Sequence, residues 1–302
     1  VSTEQATATT RRTSPSGIAA SITAMTSWSA SGVITKGLAM GGLAILTYRM
    51  FLYTALMIGL LALRGRRLTV ATLRTALPGG IALGLDITLF FTAVKLTTMA
   101  NATVIGALQP LVLLFVGPRL FGASERATGR DIGMAFLAVA GVAVVMFGST
   151  GLPDWNPRGD LIAVGAQFAW AWYLIASKRT QQSLDPFEYS AATAVISTIV
   201  VLPFAVLSGQ DLSWPAASNW PWLIGLAIGP GLVAHTAMNW SLTRIPVWMS
   251  STLSLFIPVT SVLLAWAFID EDVAPVQFAG MAVVLVALFA VVLRPSRPAV
   301  PA

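Results

Sequence analysis

Cysteine is absent from the 302 residues, and histidine occurs once, as His235. The first absence excludes a disulfide framework, a thiol nucleophile and any thiolate-ligated metal or iron–sulfur centre. A single histidine cannot build a His-rich metal site. Charge is also scarce: 18 Lys and Arg and 12 Asp and Glu make up 10% of the chain, against about 25% in ordinary globular domains. So few charges cannot coat the two soluble domains that the length alone suggests. The net charge of +6 comes without a long basic run or a basic–aromatic module, so nucleic acid is not expected as a partner. The sequence has no phosphate-binding Gly-x-x-x-x-Gly-Lys-Ser/Thr and no His-Glu-x-x-His, Gly-x-Gly-Asp, Gly-x-Ser-x-Gly or His-x-x-x-Asp, which argues against an ATP-driven pump and an intramembrane enzyme. No cofactor or metal is expected.

What the chain does have is hydrophobicity, at 56%. Many of its apolar runs reach the roughly 20 residues that cross a hydrocarbon layer about 30 Å thick. Spans are expected near Gly17–Leu38, Leu43–Leu63, Thr75–Val94, Ala100–Phe121, Ile132–Phe147, Leu161–Ser177, Tyr189–Leu207, Trp220–Leu242, Val247–Ile269 and Val276–Leu293. Residues 1–16 read as a disordered N-terminal tail and residues 296–302 as a C-terminal tail. A cleaved signal peptide is the alternative for the first segment; its length and the later recurrence of its chemistry favour an uncleaved helix. The expected fold class is therefore an all-α membrane protein with ten transmembrane helices.

Cations test that count. With both termini cytoplasmic, fourteen of the eighteen Lys and Arg fall in inner loops and tails, and only Lys36, Arg49, Lys95 and Arg158 fall outside or within spans. A missed or false span would scramble this asymmetry, which follows the positive-inside rule. The expected location is the inner or plasma membrane.

The chain also repeats itself. Trp28-Ser-Ala-Ser-Gly-Val-Ile-Thr-Lys36 in the first span has a counterpart, Trp170-Ala-Trp-Tyr-Leu-Ile-Ala-Ser-Lys178, in the sixth. Pro110 in the fourth span matches Pro258 in the ninth; an acid follows each, Glu125 and Glu271, and then a glycine, Gly133 and Gly280. This order suggests two homologous halves, 17–150 and 155–295, of five spans each. Five is odd, so the second half enters the membrane from the opposite side, an inverted repeat of the kind secondary transporters use around a midplane cavity. The ordered motifs resemble the drug/metabolite transporter superfamily, EamA type, over nearly the whole chain. That resemblance implies export of amino acids, related metabolites or drugs through a central cavity. The first half departs from the family pattern in its Pro–Glu interval and in Phe121-Gly122-Ala123-Ser124-Glu125, and the second half has Asp270-Glu271 in place of Gly-Glu.

Polar residues inside spans are the candidate site. Asp86 lies mid-span, where an ionised carboxylate costs on the order of 3 kcal/mol on insertion scales; it needs a partner, a proton or water. His235 lies at similar depth, 23 residues before Pro258, as Asp86 lies 24 before Pro110. Both are expected to face the cavity, one of them changing protonation; a satisfied Asp86, bonded to a hydroxyl or Arg49, is the alternative. Asn239 shares a helix face with His235, whereas Asn101 and Gln109 share one only in part. These amides and Gln167 are candidates for binding a zwitterion, with interhelical hydrogen bonding as the alternative. Trp28 and Trp170 are candidate cavity walls. Pro110, Pro230 and Pro258 are candidate kinks, and Lys36 and Lys178, at opposite faces, are candidate gate charges or snorkelling ends. The function expected is a secondary transporter exporting small metabolites by alternating access, functional as a monomer and open to proton coupling. A nucleotide-sugar or phosphate-ester antiporter ranks lower, because phosphate recognition needs several cations in the cavity.

Overall fold

The structure, a computed structural model, describes residues 14–150, 156–181 and 183–293. Both expected tails fall outside this range except for residues 14–16, as do Arg11, Arg12, Asp154, Trp155, Arg294 and Arg297. Among the described residues there are ten helical passages and no strand: α1 Pro15–Lys36, α2 Gly42–Leu63, α3 Val70–Leu96, α4 Met99–Phe121, α5 Gly129–Thr150, α6 Pro157–Thr180, α7 Pro186–Leu207, α8 Trp220–Leu242, α9 Val247–Ile269 and α10 Pro275–Val292. Nine of these are long and apolar enough to cross a membrane. The exception is α1, whose 22 residues match α2 in length but are diluted by serine and threonine. Large apolar side chains such as Phe115, Phe136, Leu161, Phe168 and Phe289 point outward, a surface suited only to lipid. The protein is a multi-pass membrane protein.

Local chemistry sets the helix ends. Thr69 accepts from the Thr72 N–H at the start of α3, and Asn156 from the Gly159 N–H at the start of α6. Asp185 accepts from the Phe187 and Glu188 N–H groups ahead of α7, satisfying donors that a helix start leaves open. Proline takes the first position of α6, α7 and α10, where its missing N–H does no harm. The Thr69 cap explains why α3 begins at Val70 rather than Thr75, since hydropathy alone does not register a cap; α1 begins at Pro15 rather than Gly17 without a side-chain cap.

Three passages are interrupted. Helix α4 is two pieces, Met99–Ala107 and Gln109–Phe121, with Pro110 at the start of the second. Helix α9 is likewise Val247–Leu253 and Phe256–Ile269, with Pro258 early in its second piece. In α8 the segment Ala227–Val233, containing Pro230, is a π-helical turn. Proline removes one ladder donor and displaces the carbonyl before it.

Contacts between helix ends fix their direction. Ser241 Oγ at the end of α8 donates to the Gly17 carbonyl at the start of α1, and Lys178 at the end of α6 donates to the Ile245 carbonyl. The start of α1 and the end of α6 therefore share one membrane face, so these passages run in opposite directions. The packing partners also come in matched sets: α3 lies on α6 and α8 on α1, α3 on α7 and α8 on α2, α4 on α6 and α9 on α1, while α2 pairs with α7 and α5 with α10. Exchanging the first five passages with the last five leaves this pattern unchanged. At the α5–α10 contact a Cβ on Gly280 would lie 2.9 Å from the Gly141 carbonyl oxygen, so the backbones touch there. The glycine that meets Gly280 is thus Gly141; Gly133, its counterpart in the sequence, faces open space.

Candidate functional site

Five ring side chains from four passages converge in the bundle. His235 of α8 stacks on Tyr53 of α2 with centroids 5.5 Å apart and meets Trp28 of α1 edge-on at 5.2 Å. Trp28 packs edge-on against Trp170 of α6 at 5.4 Å, and Trp170 lies 5.2 Å from Tyr173. Tyr173 returns to His235 at 6.3 Å. Such pairings favour edge and offset geometries because of the ring quadrupole. Behind the rings runs a hydrogen-bonded chain: Tyr173 Oη donates to Asn239 Oδ1 at 3.1 Å, and Asn239 Nδ2 donates to Ser190 Oγ of α7 at 2.9 Å. Tyr53, Tyr173, His235 and Asn239 are buried, whereas Trp28 and Trp170 are only half-buried.

A basic and an acidic side chain flank this cluster without forming an ion pair. Arg49 of α2 lies in electrostatic reach of His235 and Tyr53; its Nη2 donates to the Pro230 carbonyl at 3.2 Å, and its buried Nε has no partner. Asp86 of α3 lies in reach of Tyr173 and forms no ion pair with Arg49: the ion pairs among the described residues are Lys36–Glu271, Arg66–Glu188 and Lys178–Glu125. Both residues are half-buried within the bundle. Asp86 thus lacks the Arg49 bond that would have made it purely structural.

The other candidates lie elsewhere. Asn101 sits where α3 turns into α4 and donates to Thr97 Oγ1 at 3.3 Å and to Asp160 Oδ1 at 3.5 Å, tying that turn to the start of α6. Thr97 donates to the same Asp160 oxygen at 2.7 Å, so Asn101 joins an end-of-helix network and not the ring cluster. Gln109, at the break in α4, accepts from Ser251, near the break in α9. With Gln167 it lines a small cleft of about 170 Å³ between α4 and α6. A larger groove of about 520 Å³ lies among α1, α2, α7 and α8. Neither space is lined by Asp86, Trp28 or His235, so neither is the expected central cavity. Two serines of α1 bind helices together: Ser21 meets Ser250 at 3.3 Å, and Ser29 meets Thr260.

The candidate gate lysines each pair with an acid of the opposite half. At the basic face Lys178 Nζ lies 2.5 Å from Glu125 Oε1, and Glu125 Oε2 accepts from the Val247 N–H at 2.7 Å. At the other face Lys36 pairs with Glu271. Sequence reasoning missed Tyr53 and Tyr173 as members of the cluster. A signal was available: Tyr usually marks the membrane interface, and both stand in mid-passage.

The fold and site together define a helical membrane protein with a polar, ring-lined centre drawn from both ends of the chain. The sequence profile of the EamA-like transporter family matches it twice, at residues 15–147 and 157–293, and the chain belongs to that family. Among curated relatives, the uncharacterized transporter YwfM of Bacillus subtilis is 30% identical over 69% of this chain and 70% of its own length. The aromatic amino acid exporter YddG of Ancylobacter novellus is 30% identical over 58% of this chain and 60% of its own length. The threonine/homoserine exporter RhtA of Escherichia coli K12 is 22% identical over 69% and 67%. A solved crystal structure superimposes with a TM-score of 0.78, covering 93% of this chain and 98% of that one at 22% identity; it shares the fold.

Proposed function

We propose that this transporter exports amino acids with apolar side chains, aromatic ones among them, by alternating access between inverted halves 17–150 and 155–295. The observation that carries the reading is the ring cluster flanked by Arg49 and Asp86, two mid-membrane ionisable side chains that form no ion pair with each other. Unpaired charges at this depth are costly and mark substrate or ion pathways. An amino acid supplies what each charge lacks: a carboxylate for Arg49, an ammonium for Asp86, and a side chain for the half-buried faces of Trp28 and Trp170. Asn239 orients Tyr173, and in this reading His235 exchanges a proton along the substrate pathway. The amino acid exporters among the relatives support the same substrate class.

Pro110, Pro258 and the π turn around Pro230 give the moving passages their hinges. The basic face is the cytoplasmic one, the membrane is the cell membrane, and one chain suffices, since its own two halves supply every member of the cluster. A phosphate-ester antiporter is disfavoured because Arg49 is the only cation near the rings among the described residues.

The test is counterflow of radiolabelled phenylalanine, threonine and a nucleotide sugar in proteoliposomes under two imposed pH gradients. Phenylalanine counterflow falling at least tenfold in Asp86→Asn and in Arg49→Gln supports the reading. Undiminished counterflow in both variants overturns the site, and nucleotide-sugar exchange overturns the substrate class. Unchanged pH dependence in His235→Gln removes the proton from the mechanism.

A further inference from the structure

The 520 Å³ groove among α1, α2, α7 and α8 has no role in that transport reading. It is open on its lipid side, where Thr23 and Val233 are exposed, and its floor is apolar, with Leu60, Phe187 and Trp240. Its basic-face end carries two guanidinium groups. Arg64, which lines the groove, stands 3.9 Å over the Phe187 ring, and Arg244 stands 3.4 Å over the Trp240 ring. Neither has a carboxylate partner among the described residues; the nearby Glu188 is taken by Arg66. Inside the groove the buried Thr236 Oγ1, just after the π turn, has no hydrogen-bond partner among the described residues.

We propose that this groove binds one anionic phospholipid from the leaflet at the basic face, an acyl chain along the floor and the phosphodiester held by Arg64 and Arg244. An apolar trough of this size fits a chain-like ligand, and basic pockets between transmembrane helices select anionic headgroups. A zwitterionic headgroup would bring an ammonium towards two uncompensated guanidinium groups. Free phosphate would leave the apolar floor uncovered. The bound lipid would lie directly behind the ring cluster, since Thr236 follows His235 and Leu232 and Val233 belong to the π turn whose Pro230 carbonyl holds Arg49.

The test is native mass spectrometry of the full chain, released from nanodiscs containing equal phosphatidylglycerol and phosphatidylcholine. The expected result is one retained phosphatidylglycerol, preferred about tenfold, the order two membrane-facing cations supply. Arg64→Gln with Arg244→Gln abolishes the preference, the paired Lys substitutions keep most of it, and Arg67→Gln leaves it intact. Ala237→Trp, which fills the groove and retains both arginines, displaces the lipid and serves as the check should the double Gln variant fail to fold. Equal retention of the two lipids by the unaltered chain overturns the proposal, as does a preference that survives both the double Gln and the Ala237→Trp variants.

Discussion

The two ion pairs that close the membrane faces are built from corresponding residues yet differ in kind. Lys178 and Glu125 retain 12% and 1% of their side-chain exposure, whereas Lys36 and Glu271 retain 56% and 46%. The buried pair is also anchored to backbone, Lys178 at the Ile245 carbonyl and Glu125 at the Val247 N–H, so the link between α8 and α9 is clamped from both sides. Phe121 covers the clamp, with Lys178 5.9 Å and Arg179 5.8 Å from its ring centre. The Lys36–Glu271 pair has no comparable cover. Similar sequence elements therefore give a sealed face and a loosely latched one. Under the proposed alternating access, such an asymmetry belongs to a carrier held on one side of its cycle, where a symmetric pore would have two equal ends.

The comparison breaks most visibly at Lys178. Removing one partner of a buried pair leaves an uncompensated charge and typically costs about 3–5 kcal/mol. Lys178→Met should lower the thermal-inactivation midpoint of the purified protein markedly, because Glu125 then keeps only the Val247 N–H. Glu125→Gln should be milder than Glu125→Ala, since the amide oxygen can still accept that N–H. If Lys178→Met is as stable as the unaltered protein, the clamp is not a structural lock.

The absence of cysteine allows the same contrast to be measured as access. A single Val247→Cys, buried beside Glu125, should react with a membrane-impermeant maleimide at least tenfold more slowly than Val273→Cys beside the exposed pair. Each protein must be probed in inside-out and right-side-out vesicles, so that both faces are reached. Adding substrate should narrow the gap as the seals exchange. Equal rates that substrate does not alter would remove the one-sided state.

Much of this arrangement is legible in the sequence, for reasons specific to each feature. Hydrophobic run length gives nine of the ten passages because lipid tolerates little else, while α1 is diluted by serine and threonine. Pro110 and Pro258 mark the breaks in α4 and α9 because a missing N–H acts locally. The Trp–Lys and Pro–acid spacings locate both paired lysines and both acids, though not that each lysine chooses the acid of the other half. Partner choice depends on how helices pack, which spacing does not encode. For the same reason Tyr53 and Tyr173 escape notice, as does the bond from Asn101 to Asp160, 59 residues away at the start of another helix. The π turn in α8 is equally hidden: Pro230 signals a disturbance, but the register it takes depends on α1 and α2 packed against it.

The smallest effect, and the sharpest contrast, belongs to Lys36. An exposed pair is worth about 0–1 kcal/mol and is screened by salt, with a Debye length near 10 Å at 0.1 M and 3 Å at 1 M. Lys36→Met should therefore hardly move the inactivation midpoint, while still raising Val273→Cys labelling by a factor of about two as the latch loosens. Raising salt to 1 M should reproduce that increase in the protein that retains Lys36 and add nothing once Lys36 is gone. At the basic face the same salt should leave Val247→Cys labelling unchanged, because a desolvated pair is shielded from mobile ions. A salt response of equal size at both faces would mean that the difference in burial between the two pairs has no bearing on which face is shut.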